Sequence, residues 1–229
     1  MHKVSIPQDV IDRIMQQRGR INRFDGLDPV KTALVVVDLQ NVFMLPGMPV
    51  EVPAAREIVP NVNRLAEATR AAGGTVVWVS MNLEGERDAW SVFFAGDRRR
   101  ETMDELGPGS HGYALHADLD VKPEDLRIDK RRYSAFIQGS SDIDARLKAR
   151  GIDTLLIVGT LTNVCCESTA RDAMMLNYKV FFLSDANAAN SDADHNATLA
   201  TVQRVFGDVV TTDEAIGLLE GGTARAAAE

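Results

Sequence analysis

Cysteine is nearly absent: the 229-residue chain has two, Cys165 and Cys166, and they are neighbours. Adjacent cysteines cannot cross-link distant parts of a chain, so the fold is not a disulfide scaffold. A reducing, cytoplasmic location is expected, and a reactive thiol is permitted. Histidine is scarce as well, with four in all and none over residues 44–90. No cluster has the ligand spacing of a zinc site, so neither a metal nor another cofactor is expected. Positive charge is in deficit, with 25 Lys and Arg against 33 Asp and Glu and a net charge of −8. No basic excess exists to neutralise phosphates, which argues against a nucleic-acid partner. The arginine run at 98–100 has acids on both sides and reads as a solvated face. No apolar run approaches the ~18 residues that span a bilayer, and residues 1–20 lack the apolar centre of a signal peptide, so no membrane partner is expected. No Gly-x-Ser-x-Gly occurs, against a serine hydrolase. Residues 107–112, GPGSHG, spell G-x-G-x-x-G but follow no strand and open no helix, and Pro108 makes them a turn.

What is present is an alternation. ALVVVDLQ (33–40) is a continuous apolar run ending in polar residues, as a parallel strand buried on both faces requires. A helix is expected over 54–72, closed by Gly73 and Gly74. TVVWVSM (75–81) is the next strand, LRIDK (126–130) a weaker one and TLLIVGT (154–160) a strong one. SDIDARLKARG (141–151) reads as a capped helix, 165–176 as helix, KVFFLSD (179–185) as strand, 192–205 as helix and DVVTT (208–212) as a last strand. The order predicts an α/β fold: three αβα layers around a mostly parallel six-stranded sheet, Rossmann-like in plan.

Three parts flank or interrupt this domain of residues 31–219. Residues 1–30 form an N-terminal helical extension, its helix over 5–18 capped by Ser5, with Val10, Ile11, Ile14 and Met15 as an apolar stripe. That stripe suits docking on the domain or on a partner subunit. Residues 83–125 are too long for a plain connection and are expected to act as a lid or binding insertion, with Trp90, Phe93 and Phe94 as its apolar underside. Residues 220–229 are a tail.

In open parallel sheets ligands bind at the carboxyl ends of the strands. Asp38 ends the first strand, Lys130 ends the third, and Cys165 lies just beyond the fourth at a helix start. Each has a plain alternative: a cap, a surface lysine, a small core thiol. Together they bring an acid, a cation and a nucleophile to one edge. Only a thiolate attacks well, and reference values of ~8.5 for Cys and ~3.9 for Asp put proton transfer to a free carboxylate uphill by ~6 kcal/mol. Burial of Asp38 and a cation beside the sulfur would narrow that gap.

VVVDLQNVF (35–43), DKRRYSAF (129–136) and GTLTNVCCESTARDA (159–173) resemble the three signature segments of the isochorismatase-like cysteine hydrolases. The resemblance spans about residues 30–215 and is nearest to the ureidoacrylate and N-carbamoylsarcosine amidohydrolases. It implies Cys165 as nucleophile, Asp38 as general base and Lys130 as its charged neighbour. It also implies a cis peptide between Thr160 and Leu161, with the amides of Leu161 and Cys165 forming an oxyanion hole. The implied activity is cleavage of a C–N bond in a small amide or ureide through a thioester. The histidine-containing metal cluster of the similar nicotinamidases has no counterpart here, and true isochorismatases lack the cysteine. Cys166 stands where valine is usual.

On the substrate side, Gln40, Asn41 and Phe43 follow Asp38, Asn82 follows the second strand, and Tyr133 and Phe136 follow Lys130. Amides suit hydrogen bonding to a ureide and aromatics exclude water. Core packing is the competing reading for Phe43 and Phe136. The resemblance implies a homodimer or homotetramer. Two other functions compete: cleavage of an enol ether or ester in the same fold, and a non-catalytic interaction module. An ammonia-release assay separates the amidohydrolase from both.

Overall fold

A computed structural model describes residues 1–86, 90, 92 and 102–221. Phe93, Phe94, the arginine run at 98–100 and tail residues 222–229 lie outside the described residues. Six strands form one sheet: β1 (Thr32–Val37), β2 (Thr75–Met81), β3 (Leu126–Lys130), β4 (Thr154–Thr160), β5 (Lys179–Ala188) and β6 (Asp208–Val210). Their order is β3-β2-β1-β4-β5-β6 and every pairing is parallel. Helices among the described residues include α1 (Gln8–Arg18), α2 (Asn41–Met44), α3 (Val59–Ala71), α4 (Ile143–Lys148), α5 (Glu167–Met175), α6 (Asp192–Thr201) and α7 (Thr212–Leu219). All six residues of β1 and all seven of β4 are buried, the consequence of helices covering both faces of a parallel sheet. No helix among the described residues is long and apolar enough to cross a membrane.

Several boundaries differ from the sequence reading for physical reasons. The helix expected over 54–72 is a 3₁₀ turn, Pro53–Arg56, followed by α3, with Pro60 in the first turn where its missing N–H is harmless. β5 runs on to Ala188, because Asn187 turns its amide inward and donates to Ile157 O at 2.9 Å and Leu183 O at 2.7 Å. β6 stops at Val210, because Thr211 forms a capping box with Glu214 and starts α7. Ser5 does not cap α1; Pro7 holds that position, and the Ser5 amide donates instead to Asn196 Oδ1 at 2.8 Å. The N-terminal segment lies on this chain's own domain: the Arg18 guanidinium donates to Gln203 O, and Asp208 accepts from the amides of Arg23 and Phe24.

The sheet grows outward from β1 in both directions, so its topological switch lies between β1 and β4. Gly159 sits at that seam, opposite Val37, at φ 123°. A Cβ there would lie 2.0 Å from Val37 O. Only glycine lets the tips of β1 and β4 come this close.

Candidate active site

Each of the three strand tips delivers one group. Asp38 follows β1 in the left-handed region, φ 53°, while its amide still donates to Val79 O at 2.9 Å. The chain thus leaves the sheet sharply at the residue that carries the carboxylate. Asparagine and aspartate are the non-glycine residues best suited to that conformation. Along β3, Arg127 and Asp129 are exposed while Ile128 and Lys130 are buried. This two-residue period turns the Lys130 side chain inward under the sheet edge. β4 runs into a π-helical turn, Thr162–Cys166, before α5 begins. Such turns are frequent at functional sites. The peptide between Thr160 and Leu161 is cis, as the resemblance implies.

These groups meet. Lys130 Nζ lies 2.7 Å from Asp38 Oδ2, with both side chains fully buried. It donates to Cys165 Sγ at 3.5 Å and to Arg132 O at 3.1 Å, and lies 3.7 Å from Met81 Sδ. Burial pushes the Cys165 thiol up, and Asp38 adds to this while Lys130 opposes it. Burial likewise pushes the Asp38 carboxyl up, against the pull of Lys130 and of the thiol. Burial alone would lower Lys130, but the attraction of Asp38 and Cys165 outweighs it and raises the ammonium. The resting thiol is therefore protonated beside a permanent cation and a carboxylate made more basic by its surroundings. A proton leaving the sulfur has Asp38 as acceptor, and the thiolate left behind has Lys130 as counter-ion.

The flanking candidates go to different places. Gln40 is fully buried: its Nε2 donates to Met81 O at 3.1 Å and Tyr113 O at 3.0 Å, and its Oε1 accepts from Met81 N at 2.7 Å. Its amide clamps the backbone of Met81, at the end of β2, and of Tyr113. Asn41 donates to His111 O at 3.0 Å. Asn82 donates to Asp129 Oδ2 at 2.8 Å, on the outer side of β3 and away from Lys130. Phe43 belongs to the core, and Phe136 packs on Tyr178 with ring centroids 5.4 Å apart. Tyr133 remains open, 39% exposed, edge-on to Trp90 at 4.9 Å and close enough to Cys165 and Lys130 to feel their charge.

Among the described residues no group of three or more His, Cys, Asp and Glu is placed to hold a metal ion. His111 is exposed, and His116 Nδ1 accepts from Asp118 N at 3.3 Å. Residues 107–112 make turns, with the Gly112 amide donating to Glu105 Oε2 at 2.8 Å. Sequence reasoning passed over three contributors: Gly159; Thr169, whose hydroxyl accepts the Ala135 amide and so ties the loop after Lys130 to the helix after Cys165; and His195, buried against Thr162. For Gly159 a signal existed, a lone glycine within an apolar strand, which marks close backbone approach.

An isochorismatase domain model matches residues 32–214. The chain is 34% identical over 204 residues to the ureidoacrylate amidohydrolase RutB of Caulobacter vibrioides, covering 81% of this chain and 90% of that protein. It is similar in structure to a cysteine hydrolase from Pseudomonas syringae pv. phaseolicola, with TM-score 0.79 and 32% identity over 87% of this chain and 98% of the other. It is also similar to the N-carbamoylsarcosine amidase of Thermoplasma acidophilum, with TM-score 0.67 and 27% identity over 80% and 98% of the two chains. The match across the whole sheet, together with an acid, a lysine and a cysteine at its three tips, means that the chain belongs to the isochorismatase family of cysteine hydrolases.

Proposed function

We propose that the protein is an amidohydrolase that cleaves a C–N bond of a small linear amide or ureide, of the N-carbamoyl type, with Cys165 as nucleophile. The observation that carries this reading is the position of Lys130 Nζ, 2.7 Å from Asp38 Oδ2 and 3.5 Å from Cys165 Sγ. The names of two relatives, a ureidoacrylate amidohydrolase and an N-carbamoylsarcosine amidase, support the substrate class.

Asp38 takes the proton from Cys165 Sγ, and the thiolate attacks the carbonyl carbon. The backbone amides of Leu161 and Cys165 receive the negative oxygen of the tetrahedral intermediate. The C–N bond breaks, and the leaving nitrogen takes the proton back from Asp38 and departs as ammonia or an amine. A water then gives a proton to Asp38 and attacks the thioester; the acid is released and the thiol re-forms with that proton. Lys130 stays charged throughout and stabilises whichever of its two neighbours is negative. Tyr133 is the aromatic available to cover the substrate. The steps need no metal.

The test is ammonia release across carbamoyl amino acids, ureides, nicotinamide and simple amides, each with and without prior EDTA treatment. Release from an N-carbamoyl substrate that survives EDTA is the expected result. Absence of release from all of them, with cleavage of an ester or enol ether instead, would overturn the reading.

A further inference from the structure

His195 is a buried titratable side chain that the mechanism above does not use. It sits in the first turn of α6, fully buried against β5, four positions from the Lys130 strand β3 in the sheet order. Its Nε2 lies 2.9 Å from Ser184 O, in β5, and its Nδ1 lies 2.9 Å from Thr162 Oγ1, in the turn that ends in the two cysteines. A backbone carbonyl only accepts, so Nε2 must carry the ring proton. Nδ1 is then a lone-pair acceptor, and the Thr162 hydroxyl is the donor. One tautomer satisfies both bonds, whereas the alternative would set a bare ring nitrogen against Ser184 O. Burial, with His2 beside the ring, holds the imidazole down at about 4, so the neutral form persists at neutral pH. The ring of His2 stacks on it at 4.5 Å, closing one face.

Thr162 follows Leu161 directly and lies three residues before Cys165. It is fully buried, so its hydroxyl has no water to fall back on. Two residues earlier, the Thr160 hydroxyl donates to Ala188 O at 3.2 Å. The segment that carries the nucleophile is thus pinned to β5 and α6 by two hydroxyls on alternate residues. The second pin depends on His195.

We propose that His195 is a positioning residue for the nucleophile: held by Ser184 O in its Nε2–H form, it accepts the Thr162 hydroxyl and so fixes the orientation of the turn that presents Cys165 and the Leu161 and Cys165 amides. It touches no reacting atom. Its effect on turnover rests on the amidohydrolase reading; its effect on the geometry of Cys165 does not.

The experiment therefore reads both. In the full-length protein, Thr162→Val removes the hydroxyl at nearly constant shape, Thr162→Ser keeps it, His195→Leu removes both ring bonds, and His195→Gln offers one donor and one acceptor. Turnover of an N-carbamoyl substrate and the rate of iodoacetamide labelling at Cys165, located by mass spectrometry, are measured for each. Thr162→Val and His195→Leu should each lower kcat about tenfold or more, because a misplaced reacting group costs rate far more than affinity. KM should stay within about twofold of the parent value, and labelling of Cys165 should slow in parallel. Thr162→Ser and His195→Gln should restore most of both. Unchanged kcat and unchanged labelling in a folded Thr162→Val protein would overturn the proposal. So would a Thr162→Ser variant as impaired as Thr162→Val. Should His195→Leu fail to fold, the two Thr162 variants decide alone. Should the parent protein release ammonia from no substrate, the function fails while Cys165 labelling still decides the positioning role.

Discussion

The strand tips and the long segment between β2 and β3 are assembled on opposite principles. At the tips, position comes from a continuous parallel ladder: Val37 is in register with both Val79 and Gly159, and Met81 with Lys130. Apolar burial on both faces holds β1, β2 and β4, β3 is paired onto β2 with one face open, and the reactive groups inherit the precision of that ladder. The described part of the segment sets a few side chains such as Leu83, Leu106 and Leu119 into the core and is otherwise fastened by polar side chains and isolated backbone bonds. Residues 112–116 lie along 39–42, with Asn41 N bonded to Ala114 O and His116 N to Leu39 O. Gln40 and Asn41 fasten the same stretch from the β1 side, while Tyr113 reaches Asp129. Farther on, Arg70 of α3 holds Asp120 and Asp125, and the Trp78 indole also donates to Asp125. Rigid scaffold carries the chemistry, and a hydrogen-bonded wrap shapes its surroundings. The wrap is tied to the residues just after Asp38, so the two regions are not independent.

The comparison is broken most severely at the tips. Cys165→Ala should lower turnover by about three orders of magnitude or more, while Cys166→Ala, one residue on and equally buried, should keep most of it. Steady-state kinetics on the two variants checks this, and the reverse pattern would move the nucleophile by one residue. Next in size is Gly159→Ala. The new methyl would meet Val37 O and would occupy a positive φ, so unfolding stability should fall by at least ~3 kcal/mol, read as a lower melting temperature or loss of folded protein.

A pH series sharpens the comparison between the seam and its support. His195 is neutral in the fold down to about 4, whereas an unfolded histidine titrates near ~6.5. Its contribution to stability is complete above the unfolded value and is lost as pH falls toward the folded one. Melting temperature should therefore drop between about pH 6.5 and about pH 4, and His195→Gln should flatten that drop. His2 stacks on the ring, and Asp192 bonds His2, so the same series on His2→Ala separates their share. The smallest effects belong to the wrap. Asn41→Ala leaves His111 O without its side-chain donor and should cost ~1–2 kcal/mol, measured by denaturant titration. Tyr113→Phe, with an exposed partner in Asp129, should cost less than ~1 kcal/mol by the same measurement.

What was readable in the sequence follows the same division. Strands buried on both faces announce themselves as unbroken apolar runs, so β1, β2 and β4 stand out, and with them the positions of Asp38 and Cys165. Lys130 was readable because it ends a strand at the same sheet edge and lies in the signature-like segment of residues 129–136. Gln40, Asn41 and Asn82 read as ligand-binding amides because their sequence neighbours are reactive. In the structure they donate to backbone groups 41 and 73 residues away for Gln40 and 70 away for Asn41, and to a side chain 47 away for Asn82. Nothing local encodes these distant pairings. His195 shows the same limit: its place at a helix start was plain, but the threonine 33 residues earlier that gives it meaning was not.

The left-handed backbone at Asp38 has a consequence for what can replace it. Alanine there would remove the carboxylate and also place a side chain with no local hydrogen-bonding capacity at φ 53°, so a dead alanine variant would not say which loss mattered. Asparagine keeps the backbone preference and removes only the acid, which makes it the substitution that isolates the chemistry. Glutamate keeps the acid but not that preference, and its extra methylene has no room beside a lysine already at 2.7 Å. The turn thus ties this position to the shortest carboxylate: a lineage could change the loops around the site freely and still be unable to exchange one acid for the other.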